Sequence, residues 1–231
     1  MEFKRILSEY INFRGTMAPI VMEGIRLLPD GIIVGTGLYS LLTLSYPFAV
    51  FFGSLVESMF IMWGLQKATS SVNLTPASVA TAARPDQCRS GFSAIIKSSF
   101  SALSTFSYRT PSSPFPSAPI YLLTVAASYI FNTLSFQSKE LQALGPAYSS
   151  RFYISTIFLM TLLFFFVVFR LYYSCDSVPV VLLTVLVAVI VGAVLVIQNS
   201  RLFGQNSINL LGIPLLRNRS ANGKVLYLCP K

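Results

Sequence analysis

The sequence predicts an all-α integral membrane protein with about four transmembrane helices, an N-terminal amphipathic helix, a long Ser/Pro-rich loop and a small C-terminal β-hairpin or extended tail. Of its 231 residues, 54% are hydrophobic and 11% are charged, whereas a soluble domain carries about 25% charged residues. The 17 Lys and Arg outnumber the 8 Asp and Glu. They lie beside long apolar runs, which favours membrane-flanking charges over a soluble nucleic-acid-binding surface.

The N-terminal segment, residues 1–30, begins with an amphipathic pattern. Its apolar residues recur close to helical spacing, with polar residues on the other face: Phe3, Ile6, Leu7, Tyr10 and Phe13. Such a helix can lie in a membrane interface or pack on the protein's own surface. We expect this segment to be retained, because it lacks the small-residue cleavage site of a signal peptide.

The first membrane segment covers residues 31–65. Residues 31–56 are 26 positions without a charge, more than the roughly 20 that cross a bilayer. Pro47 interrupts the run, so it forms either one long tilted helix or a tight re-entrant pair; we favour one span over about 38–62. Gly31 and Gly35 have a spacing that permits close helix approach, which is weak evidence for dimerisation.

An extramembrane loop over residues 66–118 follows, rich in Ser, Thr, Ala and Pro. Residues 110–119 contain four prolines, which forbid a continuous helix and favour an extended path. The short apolar patches of the loop are too small for a core of their own, so we expect it to order by docking on a partner. The loop is therefore a predicted contact arm.

Residues 119–197 contain three further apolar runs, each long enough to span a membrane: 119–136, 152–169 and 178–197. Arg151 and Arg170 bracket the middle run, and their long stems can reach the two membrane interfaces as anchors. The short connection before the last run predicts that the last two spans are antiparallel neighbours.

The C-terminal tail, residues 198–231, holds five basic residues and no acid. An Asn-Gly pair at 222–223 between two apolar stretches predicts a small β-hairpin. The basic tail could contact anionic lipid, packaged nucleic acid or an acidic protein surface. Lipid ranks first, because no helical stripe of Lys and Arg or interleaved aromatic residues indicate specific nucleic-acid readout.

Charge placement also predicts an orientation. With four spans, eleven Lys and Arg lie on the side of both termini and six on the other, which favours cytoplasmic termini. The long loop weakens this rule, since the rule is calibrated on short loops. A fifth span would place the termini on opposite sides.

The residue types argue against catalysis. The chain has no histidine, which removes Ser/His/Asp and Cys/His nucleophile systems and imidazole metal sites. Cys88, Cys175 and Cys229 form no CxxC pair; we expect three free thiols, with a pairing of Cys175 and Cys229 left open. The sequence thus predicts no enzyme, no metal, no cofactor and no small-molecule substrate, and a membrane enzyme without a histidine base ranks a distant third among functions.

Glu57 is the one acid inside an apolar run. An intramembrane carboxylate is a candidate for ion or proton handling, so a small channel or transporter using Glu57 is the alternative function. The competing interpretation is an interfacial glutamate near a helix end. No second acid, histidine or basic residue lies in the other apolar runs to complete a proton relay, which weakens the transporter hypothesis.

A series of short phrases at the boundaries of the predicted spans resembles one protein family. In chain order they are Met17-Ala-Pro19, Leu28-Pro-Asp-Gly31, Phe115-Pro-Ser-Ala-Pro119, Ser150-Arg-Phe-Tyr-Ile-Ser155, Asn209-Leu-Leu-Gly-Ile-Pro214 and Leu226-Tyr-Leu-Cys-Pro230. Their order is similar to that of small polytopic membrane proteins of large icosahedral double-stranded DNA viruses of algae and protists. The resemblance covers nearly the whole chain.

This resemblance implies a virion structural protein in the internal lipid membrane beneath the capsid, acting as a membrane-associated minor capsid protein. Its partners would be the bilayer and the major and minor capsid proteins, and host-derived membrane would supply the bilayer during assembly. The clustered basic residues Arg217, Arg219 and Lys224 become the first candidates for contact with acidic protein or headgroups. Second candidates in the long loop are Arg84, Arg89 and Lys97. A scaffold that recruits host membrane is a variant of the same hypothesis.

Overall fold

The computed structural model describes residues 24–71, 88, 115–138, 146–210, 218–219 and 225–226. In this part of the chain, five helices are long and apolar enough to cross a membrane. They are α1 (Gly24–Thr43), α2 (Tyr46–Ser71), α3 (Ala118–Phe136), α4 (Pro146–Tyr172) and α5 (Val178–Leu202). A short 3₁₀ helix, η1 (Gln205–Ile208), follows α5. The predicted amphipathic helix at 2–13 lies outside the described residues.

The first apolar run forms two helices, so the expected single span over 38–62 is wrong. The chain breaks at Leu44, which has a positive φ of 48°, a conformation that ends a helix and that few non-glycine residues adopt. Pro47 then lies in the first turn of α2, where its missing N–H removes no helical hydrogen bond. The four expected spans thus become five candidate spans.

Two Ser-x-Pro sequences start the later helices. Ser117 and Ser177 are the N-caps of α3 and α5, and a proline occupies the first turn of each helix. Proline is suited to this place because its fixed φ matches the helix. The backbone N–H of Ser117 donates to Thr184 Oγ1 at 3.1 Å, which joins the start of α3 to α5. The expected runs 119–136 and 178–197 therefore begin within one residue of the observed helices.

Contacts between the helices fix their directions. Gln66 of α2 bonds the carbonyl of Pro116 just before α3, and Phe51 stacks on Tyr129, so α2 and α3 are antiparallel. Ring contact of Tyr39 with Phe48 makes α1 and α2 an antiparallel hairpin. Three hydrogen bonds join α3 and the residues at its two ends to α5 and η1, and the residue numbers of the two partners rise together. Helices α3 and α5 are therefore parallel, and α4, which connects them in the chain, runs in the opposite direction. Chain direction alternates through all five helices.

The α3–α5 contact is the tightest in the bundle. Ser128 Oγ donates to the carbonyl of Val189 at 2.9 Å. A Cβ placed on Gly192 would lie 2.7 Å from Ser128 Cβ and 2.9 Å from the carbonyl oxygen of Val125, so only glycine fits there. Small residues at such crossings let helix backbones approach closely.

Helix α3 is the centre of the bundle and α4 is at its edge. In their most apolar windows, 67% of α3 is buried, against 11% of α4. Tyr121 and Tyr129 of α3 are fully buried. Large apolar side chains of α4 face outwards, among them Ile154, Ile157, Phe158, Phe164 and Phe165. An exposed apolar surface of this extent is compatible with a membrane protein, in which hydrocarbon covers it.

The C-terminal tail is described at two places. Asn218–Arg219 and Val225–Leu226 are short antiparallel strands, with Asn218 opposite Leu226 and Arg219 opposite Val225. They flank the Asn-Gly pair at 222–223, where the sequence predicts a hairpin turn.

Candidate functional site

One end of the bundle carries the densest set of covalent and polar contacts. A disulfide joins Cys88 of the long loop to Cys175 in the turn between α4 and α5, with 5.3 Å between their Cα atoms. This bond contradicts the expectation of three free thiols and excludes the Cys175–Cys229 pairing. We call this end, which also contains Gln66, Pro116 and Asp176, the disulfide end.

A buried ion pair lies directly beneath the disulfide. Arg170, in the last turn of α4, pairs through Nε with Asp176, and both side chains are less than a tenth exposed. Arg170 Nη1 also donates to the backbone carbonyl of Cys88 at 3.4 Å. The sequence predicts Arg170 as an interface anchor, but its guanidinium is instead held inside the turn, where it contacts the long loop.

The returning end of the long loop is also fastened to this end of the bundle. Gln66 Nε2 donates to the carbonyl of Pro116 at 2.9 Å, and Thr69 Oγ1 donates to the carbonyl of Phe115 at 2.8 Å. Gln66 is fully buried, so its amide satisfies a carbonyl that the start of α3 leaves without a helical donor. Together with the disulfide of Cys88, these bonds attach the loop to the helices at its return and at one point within it.

A second polar cluster lies in the helical interior. Asn199 Nδ2 donates to Ser54 Oγ at 2.6 Å and to Tyr129 Oη at 2.9 Å. The cluster joins α2, α3 and α5, and Ser207 Oγ of η1 donates to the Asn199 carbonyl at 3.2 Å. Such bonds between membrane helices contribute about 0.6 kcal/mol each on average, so their main effect is to fix the register of three helices.

Glu57 lies near the middle of α2, away from the helix ends. Gln198 Nε2 of α5 donates to both of its carboxylate oxygens, at 3.0 and 3.2 Å. Eleven residues separate Glu57 from the first residue of α2, about 16 Å at 1.5 Å per residue. The interpretation of an interfacial glutamate near a helix end therefore does not fit the described helix. The carboxylate instead bonds a helical neighbour within the bundle.

Most of the predicted contact residues lie outside the described part of the chain. These are Arg84, Arg89 and Lys97 of the loop, and Arg217 and Lys224 of the tail. Arg219 is described only as a strand residue, paired with Val225. Arg151 lies in the first part of α4. The structure thus brings Arg170 and Glu57 into defined contacts and leaves the role of the other candidates as predictions.

Several buried or bonded polar residues carry no signal in the sequence. Asp30 is fully buried in α1, although it stands at the edge of an apolar run in the sequence. Gln198 and Asn199 read as the polar end of the last span, and nothing local pairs them with residues more than 140 positions earlier. The ion pair of Arg170 with Asp176 could have been predicted from the sequence, since an acid six residues after an arginine can pair with that arginine across a tight turn.

The described residues contain no group of three or more His, Cys, Asp or Glu that could hold a metal ion. The contacts at the disulfide end attach the long loop to the helices. They are a covalent bond, a buried ion pair and hydrogen bonds from side chains to backbone carbonyls. No family of known proteins, no curated protein and no solved structure matches this chain.

Proposed function

We propose that this chain is a structural protein of a virion, anchored by its helices in the internal viral membrane and tying that membrane to the capsid shell. The loop over residues 66–118 is the arm that contacts major and minor capsid proteins, and the basic tail contacts acidic protein or lipid headgroups. The observation that carries the proposal is the attachment of this loop to the bundle at two places, at Cys88 and at its return over Phe115 and Pro116. A loop held in this way can transmit force between a partner and the bilayer.

The packing of the helices supports an anchoring role. Tyr121, Phe166, Leu55, Met59 and Met62 are fully buried side chains that fill the described interior. Close packing of this kind resists deformation, which suits a protein that connects two layers. The virion assignment itself is supported by the order of the family-like phrases along the chain.

The disulfide bears on the compartment. Structural disulfides form and persist in oxidising surroundings and are rare in the cytosol. A bond between Cys88 and Cys175 therefore favours a bilayer taken from a host secretory membrane, with the disulfide end on its lumenal side. The capsid proteins that the loop contacts would then have to meet this chain on the lumenal side of that membrane.

The experiment is a fractionation of purified virus particles. Particles are treated with mild detergent that removes lipid, and this chain is quantified by mass spectrometry in the soluble and shell-bound fractions. We expect the chain in intact particles and its retention in the shell-bound fraction. Complete release with the lipid, or absence from the particles, would contradict the proposal.

A matched pair of variants sharpens this test. Cys88→Ser removes the attachment within the loop and should lower shell retention several-fold without lowering the amount made. Cys229→Ser changes a cysteine outside the disulfide and should leave retention unchanged. Equal retention in both variants would show that the fastening is not what ties the chain to the shell.

The alternative function, a channel or transporter using Glu57, makes a different prediction. Purified chain in planar bilayers would conduct an ion, and Glu57→Gln would change that conductance. Our proposal expects silent bilayers with both proteins, because the carboxylate is bonded to Gln198 of the neighbouring helix α5. A Glu57-dependent current would overturn the structural proposal.

A further inference from the structure

A lateral cavity of about 390 Å³ lies among helices α1 to α4. Helices α1 to α4 all contribute to its wall, with Gly31 and Gly35 on one side and Leu159, Leu162 and Leu163 of α4 on another. Gly31, Gly35 and the lining residue Phe158 are exposed. The cavity therefore opens to the outside of the bundle, on the apolar surface of α4.

The lining has no polar group that could select a polar ligand. Its one side-chain hydroxyl belongs to Thr36, which donates to the carbonyls of Ile32 and Ile33 within α1. Any occupant must therefore be apolar, since a buried polar group without a partner is costly.

Two apolar groups could cover this cavity, a helix from a second copy or a lipid acyl chain. The Gly31-x-x-x-Gly35 spacing raises the possibility of a helix from a second copy, yet a Cβ on either glycine meets nothing within 4 Å. The open side of the cavity lies on the apolar surface that hydrocarbon covers in a bilayer, which favours an acyl chain as its occupant.

We infer that this cavity binds one acyl chain of a membrane phospholipid. The cavity mouth is continuous with the outward apolar surface of α4, where Ile157 and Phe158 are more than half exposed. Lipid tails cover that surface in a bilayer, so an acyl chain is the apolar group present at the mouth in the greatest amount. Its entry fills a void whose lining otherwise loses van der Waals contacts. This inference depends on the membrane setting and not on the virion proposal.

The test uses a photoactivatable lipid. Full-length protein is reconstituted in phosphatidylcholine vesicles containing a phosphatidylcholine with a diazirine near the end of one acyl chain, and adducts are mapped to peptides after irradiation. We expect adducts at Leu159, Leu162 or Leu163 inside the cavity. Adducts at exposed Ile157 and Phe164 report ordinary lipid contact and serve as the internal reference.

Two glycine variants provide the comparison. Gly35→Leu places a side chain in open space inside the cavity and should lower the cavity adducts at least fivefold relative to the reference adducts. Gly64→Leu is the matched control, because Gly64 is an exposed helix residue with nothing within 4 Å of its Cβ and does not line the cavity. If Gly35→Leu fails to fold, Ala127→Leu fills the cavity from α3 and is read in the same way.

Three outcomes would overturn the inference. One is adducts confined to the exposed reference residues. Another is cavity adducts that persist at full yield in both cavity-filling variants. The third is photo-independent cross-linking of Gly35→Cys to the same position of a second copy at high yield, which would show that another chain covers the cavity in place of lipid.

Discussion

Arg170 shows how one residue connects the helices to the long loop. Its guanidinium pairs with Asp176 and also bonds the Cys88 carbonyl. Burial of two charges is costly, and their attraction compensates only when further hydrogen bonds satisfy them. The bond to Cys88 supplies one of these, so the ion pair and the disulfide support the same loop contact.

Loss of Arg170 should therefore destabilise the protein strongly. Arg170→Gln leaves the Asp176 carboxylate buried without its cation, which costs about 3–5 kcal/mol in comparable buried pairs. The measurement is the free energy of unfolding in mixed micelles. Arg201→Gln is the control, because Arg201 is also in the last turn of its helix but is exposed; we expect a loss below about 1 kcal/mol. Equal losses for the two variants would contradict a special role for the pair.

At this scale, sequence reasoning identified Glu57 but not its partner. An acid in an apolar run stands out by composition alone. Gln198, which bonds it, is 141 positions away, and a polar residue near the end of a span is equally compatible with solvent. Pairings of this kind depend on helix register, which local patterns do not determine.

Helix starts were easier to predict than the break between α1 and α2. Ser-x-Pro marks the beginning of α3 and α5, since proline prefers the first turn. Leu44 carries no such mark, because neither glycine nor asparagine occupies this left-handed position, and the apolar run continues across it. Pro47 was the one residue that indicated a break. It did not decide the matter, because a proline is compatible with the start of a new helix and with a kink in a continuous one.

Gly192 tests the close contact between α3 and α5. Gly192→Ala forces its methyl group against Ser128 and the Val125 carbonyl, and overpacking of this kind costs about 1–3 kcal/mol. Gly53→Ala places the same methyl group in open space on α2, where higher helix propensity should give no loss. Thermal unfolding in detergent measures both, with a lower Tm expected only for Gly192→Ala. An unchanged Tm for this variant would disprove the tight contact.

The disulfide is open to direct chemical mapping. In protein made in an oxidising compartment, Cys88 and Cys175 should resist alkylation and appear as a linked peptide that dithiothreitol separates. Cys88→Ser should expose the thiol of Cys175, whereas Cys229→Ser should leave the linked peptide intact. A peptide linking Cys175 to Cys229, or alkylation of all three cysteines, would contradict this pairing.

The pairing could have been anticipated from the order of the spans. Cys88 lies in the second connection and Cys175 in the fourth of the five-helix chain, so alternating direction puts both on one side. Cys229 follows the last helix, and that helix ends on the other side. We expected free thiols because the spacing of the cysteines in the sequence indicates no pair. The order of the spans carries more information, since it argues against a pairing of Cys175 with Cys229.

Across the whole molecule, five helices of alternating direction place the start of α1 and the end of α5 at opposite ends of the bundle. The start of α1 lies at the disulfide end. From apolar run lengths the sequence predicted the positions of α3, α4 and α5, which are long and apolar enough to cross a membrane. It did not predict an odd number of helices, because that number depends on the two-residue break between α1 and α2. The arrangement of the two ends was therefore not predicted either.

The odd number leads to a topology prediction. In microsomes, an N-terminal tag should be protected from added protease, because it shares the lumenal side with the disulfide end, and a C-terminal tag should be digested. Detergent should expose both tags and serves as the control for protease activity. Two tags with the same accessibility would contradict five crossings and restore the four-span arrangement.

Cross-linking mass spectrometry of intact particles tests the central proposal most directly. A lysine-reactive reagent would report neighbours of Lys97 in the long loop and Lys224 in the tail, with Lys67 in α2 as the reference at the disulfide end. The structural proposal predicts cross-links from Lys97 or Lys224 to a major or minor capsid protein. In the Cys88→Ser variant, the amount of the Lys97 cross-links from the loop should fall. Links confined to this chain itself, with none to any shell protein, would contradict it.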